Sequence, residues 1–265
     1  MSLTTMHYYS NCLRREVTFQ AIIPLDHPAE HGKTQHYATE PLKALYLLNG
    51  YSGSCNDWLT YSSIRDLAQQ NRLAVFMPSG ENHFYVDDEA KGEMFGEFIG
   101  EELIAFTRAM FPISNKREDT FIGGLSMGGY GAVRNGLKYS HNFSKVIAMS
   151  SAFITYKIAN AKPGYSDGIA SYSYFDRVFG NLNELEGSDK DLEALVRAIQ
   201  ENKKQMPELY LSCGDEDFLL DVNIKFHNYL KQQNIKHVYE QSPGVHDWNF
   251  WREYIVKGIK WALAD

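Results

Sequence analysis

The chain has 265 residues, of which 44% are hydrophobic, and a formal net charge of −7 at pH 7. This length and hydrophobic content suffice for one large domain with its own core, and we assign residues 6–265 to a single domain. The acidic balance, without any basic cluster, argues against a nucleic-acid partner.

The cysteines and apolar runs indicate the compartment. Cys12, Cys55 and Cys213 lie far apart without Cys-x-x-Cys spacing, which argues against a disulfide framework or a zinc site. No apolar run reaches the roughly 18 residues of a membrane helix, and the N-terminus does not resemble a secretory signal. We therefore expect a cytoplasmic protein with no membrane segment. Residues 1–5 precede a second methionine, Met6, and we interpret them as a disordered or vector-derived leader.

Two segments near the N-terminus, residues 8–12 and 16–24, look like strands, and the second alternates apolar with more polar residues. This pattern is typical of a half-buried antiparallel pair and predicts the edge of a sheet. The polar segment 27–40 has no apolar period, so we interpret it as a surface loop. Its three histidines have no acidic or cysteine partner, and we assign no metal site to them.

From residue 43 onward, apolar runs alternate with helical patterns, which predicts a parallel, doubly wound sheet. The predicted strands are 43–48, 73–77, 120–123, 145–149, 208–213 and 236–240. The predicted helices are 58–70, 93–111, 127–139, 219–233 and a last helix that contains Trp251, Ile255 and Ile259.

Residues 150–206 interrupt this alternation. The segment is rich in tyrosine and phenylalanine and contains one charged helix, at about 189–203. It leaves from the carboxyl end of a strand, the edge at which open sheets bind ligands. We predict a short insertion that covers the mouth of the active site.

Ser126 has the surroundings of a catalytic nucleophile. It lies between an apolar strand and a glycine-rich helix, with Gly124 and Gly128 two residues before and after it. Such an elbow needs strained backbone angles at the serine and neighbours without bulk, so that strand and helix can approach. A glycine-rich turn could also hold a phosphate, but the chain contains no Gly-x-x-x-x-Gly-Lys-Ser/Thr.

Backbone donors for an oxyanion are expected at two places. The helix after Ser126 directs its free N–H groups at the serine, and we assign one donor to the N–H of Met127. The other donor is the N–H of Tyr51, because Gly50 directly follows a predicted central strand and lets the chain turn toward the neighbouring nucleophile strand. The alternative for this second loop is an ordinary turn between strand and helix.

An acid and a histidine follow the serine in the chain. Asp215 and Asp217 both lie in the loop after the strand 208–213, and we prefer Asp217, with Asp215 in reserve. His246 lies in the loop after the last strand, and the order serine, acid, histidine is that of α/β-hydrolases. His83 is a weaker candidate for the base because it precedes the serine.

Several motifs together resemble the putative-esterase family. They are Leu47-Leu48-Asn49-Gly50-Tyr51-Ser52-Gly53, Met77-Pro78-Ser79-Gly80, Glu101-Glu102-Leu103, the sequence from Phe121 to Ala132, Cys213-Gly214-Asp215-Glu216-Asp217-Phe218-Leu219 and Gly244-Val245-His246-Asp247-Trp248. The family includes tributyrin, feruloyl and acetylxylan esterases, S-formylglutathione hydrolases and mycolyltransferases. The resemblance spans nearly the whole chain.

This resemblance implies an α/β-hydrolase fold, a small-molecule ester substrate and no cofactor. The chain is most similar to the small bacterial tributyrin and acetyl esterases, which act on short-chain acyl esters. It departs from the pattern at Asn49, where many relatives have histidine; because the nearby donor is a backbone group, we expect its geometry to survive. The likeness to S-formylglutathione hydrolases is weaker, since this chain has Tyr51-Ser52-Gly53 where they have Leu-Thr-Cys and Tyr130 where they have histidine.

We therefore predict a serine carboxylesterase. The alternatives are an S-formylglutathione hydrolase-like thioesterase, a feruloyl or acetylxylan esterase, and a hydrolase fold that has lost its chemistry and serves as a binding module. The oligomeric state is open, with a homo-oligomer as one option.

Overall fold

A computed structural model of the protein describes residues 2–25 and 40–264. Its strands are β1 (Ser2–Ser10), β2 (Arg15–Ile23), β3 (Lys43–Leu48), β4 (Leu73–Pro78), β5 (Asp87–Asp88), β6 (Glu93–Met94), β7 (Thr120–Leu125), β8 (Lys145–Met149), β9 (Glu208–Gly214) and β10 (His237–Ser242). The loop predicted at 27–40 falls, apart from Glu40, outside the described residues.

Eight of these strands form one sheet in the order β1-β2-β4-β3-β7-β8-β9-β10, while β5 and β6 form a small separate ribbon. The six strands from β4 to β10 in this order are parallel, and β1 and β2 are antiparallel at one edge. The central strands are buried throughout because helices cover both of their faces. The predicted α/β-hydrolase fold with a mostly parallel sheet is confirmed.

Helices cover the sheet on both sides. The α-helices are α1 (Asp57–Tyr61), α2 (Ile64–Gln70), α3 (Phe95–Glu97), α4 (Leu103–Met110), α5 (Met127–Lys138), α6 (Thr155–Ile158), α7 (Tyr172–Phe179), α8 (Leu192–Glu201), α9 (Leu220–Gln232) and α10 (Trp248–Leu263). Because side chains alternate along a strand, Leu45 belongs to the apolar core under α1, α2 and α10, whereas Tyr46 belongs to the core under α4, α5 and α9.

Of the two expectations for residues 1–5, disorder is wrong for residues 2–5. Strand β1 begins at Ser2, and its first four residues pair with residues 20–23 of β2. The length of this strand was underestimated because it lies at the edge of the sheet, where alternate side chains face solvent and the local sequence is polar.

Two predicted helices are divided. The helix expected at 58–70 is interrupted at Ser62 and Ser63, where the Ser62 hydroxyl donates to the Trp58 carbonyl. The segment expected to be helical from 93 to 111 begins as strand β6. It then contains a π-helical turn, Phe98–Glu102, between α3 and α4. The spacing of apolar residues does not distinguish a continuous α-helix from a helix with such an interruption, because the same residues face the core in both.

The insertion at 150–206 contains α6, α7, a 3₁₀ turn (Leu182–Glu184) and α8. Its charged helix is shorter than the predicted 189–203, since Asp191 caps its first turn and it ends at Glu201. Among the described residues, no helix is long and apolar enough to cross a membrane. The assignment of residues 6–265 to a single domain stays a prediction.

Candidate active site

Ser126 lies between β7 and α5 in a strained backbone conformation, with φ of 54° and ψ of −118°. The strand and the helix can meet there because two positions lack side chains. A Cβ atom on Gly124 would lie 2.4 Å from the Gly128 carbonyl oxygen, and one on Gly128 would lie 2.5 Å from the Leu48 carbonyl oxygen. The elbow predicted from the glycine spacing is therefore enforced by backbone contact, and Ser126 is 9% exposed.

Three predicted site residues form a continuous hydrogen-bonded chain. His246 Nε2 lies 3.0 Å from Ser126 Oγ, and His246 Nδ1 lies 3.0 and 2.9 Å from the two carboxylate oxygens of Asp217. Because a carboxylate only accepts, Nδ1 carries the proton and Nε2 is free to accept from the serine hydroxyl. The order of groups is that of a nucleophile, a base and an acid that orients the base.

Asp217 is 5% exposed as a residue, its side chain is fully buried, and its carboxylate remains charged. Burial alone would raise its pKa, but the hydrogen bond from His246 and the charge that this imidazole carries when protonated, together with the Leu219 N–H, hold the pKa below its usual range. Two backbone hydrogen bonds join the loops after β9 and β10: Asp215 N–H donates to Ser242 O, and Glu216 N–H donates to Gly244 O. These bonds bring the acid and the histidine together.

The imidazole is held by packing as well as by hydrogen bonds. The His246 ring lies 4.5 Å from the Phe218 ring and 5.0 Å, edge to face, from the Trp251 ring. The next residue, Asp247, caps α10 by accepting from the N–H groups of Asn249 and Phe250. The histidine thus sits on a loop that is fixed at its helical end.

Asp215 and His83, the alternative candidates for the acid and the base, lie away from Ser126. The exposed Asp215 carboxylate accepts a hydrogen bond from Gln241, 2.6 Å away. His83 Nε2 lies 2.6 Å from a Glu93 carboxylate oxygen, and its ring stacks on Phe95. The structure brings neither side chain to Ser126.

The loop that carries Tyr51 runs beside the elbow. A Cβ atom on Gly50 would lie 3.5 Å from the Cβ of Ser126, so this loop and the nucleophile are neighbours. Among the described residues, neither the Tyr51 N–H nor the Met127 N–H donates to a protein acceptor. Both donors are therefore available to a bound oxygen.

Asn49 supports this loop from beneath and is 1% exposed. Its amide oxygen accepts from the Gly80 N–H and the Tyr85 hydroxyl, at 3.1 and 3.0 Å, and its amide nitrogen donates to Gly50 O at 2.8 Å. The sequence marked this position only as a departure from histidine. The contacts of the Asn49 side chain could not be inferred from it, because most of its partners are distant in the chain.

Two hollows meet at Ser126. The first is narrow and mainly apolar, with a volume of about 50 Å³; it is lined by Tyr51, Phe84, Met127, Ala152, Ile154, Tyr174 and Phe175, with Asp167, Ile169 and Ala170 of the insertion at its rim. The second is a groove of about 440 Å³ lined by His246, the 50–53 loop, Tyr61, Trp248 and Trp251. The predicted position of the insertion, over the mouth of the site, matches the first hollow.

A cluster of ion pairs around the buried Arg134 connects the insertion to α5, the helix that follows Ser126. The fully buried Arg134 guanidinium donates to the carboxylates of Asp87, at 3.1 Å, and of Asp189. Lys138 lies 2.9 and 2.6 Å from the same two carboxylates. Burial raises the pKa values of both carboxyl groups, but these cations outweigh it and hold the values below their usual range.

Within residues 2–25 and 40–264, no group of three or more histidine, cysteine, aspartate or glutamate side chains could hold a metal ion.

Comparison with known proteins agrees with this architecture. The model of the family described as Putative esterase matches residues 10–262. An acetyl esterase of Caldicellulosiruptor saccharolyticus is 50% identical over 261 residues, which cover 98% of each chain. The structure of the fluorophosphonate-binding serine hydrolase F of Staphylococcus aureus, with substrate bound, matches with a TM-score of 0.86 and 30% identity, covering 100% of this chain and 99% of that one. An S-formylglutathione hydrolase of Staphylococcus aureus matches with a TM-score of 0.84 and 30% identity, covering 99% of both chains.

Proposed function

Because this chain belongs to the putative esterase family and is a carboxylic ester hydrolase, we propose that it hydrolyses short-chain acyl esters through an acyl-enzyme intermediate on Ser126. The observation that carries the proposal is the hydrogen-bonded chain from Ser126 through His246 to Asp217, which opens beside a narrow apolar pocket. The acetyl esterase relative supports the choice of a small acyl group.

In the first half of the reaction, the Ser126 oxygen attacks the ester carbonyl carbon while its proton passes to His246 Nε2. The charged Asp217 carboxylate stabilises the imidazolium that forms. When the tetrahedral intermediate collapses, the bond from the carbonyl carbon to the alcohol oxygen breaks, and His246 returns the proton to that oxygen. The acyl group then remains on Ser126.

In the second half, water replaces the alcohol. His246 takes a proton from the water as its oxygen attacks the acyl carbon, and the free acid leaves when the bond to Ser126 Oγ breaks and the serine regains its proton. The Tyr51 and Met127 N–H groups hold the negative oxygen in both intermediates. These steps need no cofactor or metal.

The two hollows receive the two parts of the ester. His246 must reach the alcohol oxygen, and it lines the larger groove, so the alcohol lies there. The narrow pocket includes Met127 and not His246, so the acyl chain lies in it. Its volume of about 50 Å³ is small beside the 440 Å³ of the groove, which favours short acyl groups, of about two to four carbons.

A thioesterase activity is the second candidate, because the S-formylglutathione hydrolase of Staphylococcus aureus shares this fold at 30% identity. A formyl group would fit the narrow pocket, and the groove of about 440 Å³ would hold a larger thiol.

The test compares kcat/KM for nitrophenyl esters of two to ten carbons with S-formylglutathione, feruloyl and acetylxylan substrates. We expect the largest value for an ester of two to four carbons. A Ser126→Ala variant serves as the control for background hydrolysis. The short-chain proposal fails if kcat/KM rises through eight carbons or if S-formylglutathione is the best substrate by tenfold or more.

A further inference from the structure

The proposed oxyanion donor, the Tyr51 N–H, lies in a tight turn. Gly53 N–H donates to Gly50 O at 3.2 Å, and the Asn49 amide nitrogen donates to the same oxygen at 2.8 Å. Because the peptide bond is trans, the Tyr51 N–H points away from the Gly50 carbonyl. The two donors to that carbonyl therefore fix one peptide plane of the turn.

The next peptide plane, between Tyr51 and Ser52, needs a separate constraint. Ser52 has a φ of 60°, at a turn position that usually takes glycine. Type I and type II turns differ by a flip of this central peptide, and of the two only type II has a positive φ at the position of Ser52. A serine there favours type I, so the observed turn needs a further contact to hold it. The Ser52 N–H donates to the Asn82 side-chain oxygen at 2.6 Å, a contact across 30 residues that opposes the flip.

Asn82 is itself firmly placed. It lies in the loop after β4, where it has a φ of 59° and its neighbours Glu81, Phe84 and Tyr85 also have positive φ. Such a loop persists only where its surroundings over-determine it. His83 N–H donates to Gly80 O at 2.9 Å, and Val86 N–H donates to His83 O at 3.2 Å.

The backbone of Asn82 also reaches the acyl pocket. Its carbonyl oxygen accepts from the Tyr174 hydroxyl at 2.6 Å. The Tyr174 ring lines that pocket and meets the Tyr51 ring edge to face, with centroids 5.6 Å apart. Asn82 therefore contacts the oxyanion turn through its side chain and the roof of the pocket through its main chain.

We propose that Asn82 is a positioning residue for ester hydrolysis, whose side-chain oxygen holds the Tyr51–Ser52 peptide so that the Tyr51 N–H faces the developing oxyanion. The inference rests on the proposed oxyanion role of Tyr51. Because Asn82 acts on a donor that is needed most in the transition state, its loss lowers kcat and leaves KM nearly unchanged.

The test is Asn82→Gly. Glycine accepts a φ of 59° without strain and keeps the carbonyl that Tyr174 uses, so the variant loses the side chain and with it the oxygen that accepts from Ser52. Removal of a whole oxyanion donor costs about 10²- to 10³-fold in kcat. A misaligned donor costs less, and we expect kcat for nitrophenyl acetate to fall by about 10- to 30-fold, with KM within about twofold and an unchanged melting temperature. The inhibition constant of a trifluoromethyl ketone, which forms a tetrahedral adduct, rises by the same factor.

The matched control is Glu81→Gly. Glu81 also has a positive φ, of 45°, but its exposed side chain contacts Arg15 rather than the oxyanion turn. We expect kcat within twofold of the wild type. An Asn82→Gly kcat within twofold of the wild type overturns the inference, as does an equal loss in both variants or a loss confined to KM. A different result would contradict the proposed function itself. In that case the wild type does not hydrolyse the ester, or the Ser126→Ala variant still does.

Discussion

Gly124 and Gly128 approach so closely that a Cβ atom on the first would lie 2.4 Å from the carbonyl oxygen of the second. The obstacle is backbone at the base of the nucleophile elbow, which cannot rotate away as a side chain can. We expect Gly124→Ala to displace Ser126, lowering kcat/KM at least 100-fold and destabilising the fold by about 3 kcal/mol or more. Nitrophenyl acetate kinetics and urea unfolding measure both effects.

The neighbouring glycine is the matched control for this variant. A Cβ atom on Gly123 would lie 3.2 Å from Ile147, a smaller overlap on the same strand. Gly123→Ala should therefore retain most of the activity. Equal losses in the two variants would show that the strand, rather than the elbow, is sensitive to added volume.

Ser126→Ala tests the nucleophile itself. The substitution removes one hydroxyl and keeps the Cβ atom, and we expect kcat to fall by about 10⁶-fold, as for a lost triad serine, while the fold is retained. Far-ultraviolet circular dichroism and a fluorophosphonate probe provide the two readouts. Labelling of the folded variant at another residue would transfer the role of nucleophile away from Ser126.

Asp217→Asn tests the acid. The amide presents an N–H where the imidazole needs an acceptor, which favours the wrong tautomer of His246, and kcat should fall by about 10⁴-fold. Asp215→Asn is the matched control, because this exposed carboxylate contacts Gln241 and not the histidine. We expect it to remain within about twofold of the wild type. The reverse ranking would assign the acid role to Asp215.

The residues of the site differ in how well they can be predicted from the sequence. Glycine spacing and chain order predicted a site at Ser126, Asp217 and His246, because an elbow and the loops after parallel strands have local sequence patterns. The structure brings these three side chains into hydrogen-bond contact. The side chains of Asn49 and Asn82 contact partners 31 and 30 residues away in the chain, and no local pattern specifies such contacts.

The same distinction applies to the fold. The buried parallel strands were predicted from continuous apolar runs, but the start of β1 at Ser2 was missed, because pairing with β2 rather than local composition makes that segment a strand. The oxyanion roles of the Tyr51 and Met127 N–H groups stay predictions.

Ala170→Leu tests the acyl pocket. Ala170 is partly buried on the insertion and lines the narrow pocket, so a larger side chain there reduces the space for an acyl chain. We expect the ratio of kcat/KM for butyrate to that for acetate to fall by about tenfold, since two methylenes contribute about 0.8 kcal/mol each when buried. An unchanged ratio would mean that the acyl chain lies elsewhere, for example in the larger groove.

Asp87→Asn tests the buried charge cluster at Arg134. Removal of one partner of a buried ion pair usually lowers the free energy of unfolding by about 3 to 5 kcal/mol. For Asp87→Asn we expect about 3 kcal/mol, because Asp189 still faces the guanidinium. Since the pKa of Asp87 is lowered in the folded state, its contribution is complete above the unfolded value of 3.8 and is lost as the pH falls through the folded value. The difference in unfolding free energy between wild type and variant should therefore be constant from pH 7 to about pH 5 and shrink below about pH 4.

Asp88→Asn is the control for this pH dependence. Asp88 pairs with Lys91, whose side chain is 46% exposed, and an exposed pair contributes about 0 to 1 kcal/mol. Urea unfolding at four pH values between 7 and 2.5 compares the variants. A difference for Asp87→Asn that grows on acidification would mean that the pKa of Asp87 is raised, rather than lowered, by folding.

The attachment of the insertion to α5 has a kinetic consequence. Asp189 is held by Arg134 and Lys138, and the carbonyl of the next residue, Lys190, accepts from the Tyr130 hydroxyl on the same helix. Separation of this end of the insertion from α5 would leave the Arg134 guanidinium without one of its two carboxylate partners, so we expect the two to stay in contact during turnover. We expect substrates to enter through the open groove lined by His246, and hydrolysis to follow simple saturation, with no acceleration when an ester begins to form micelles.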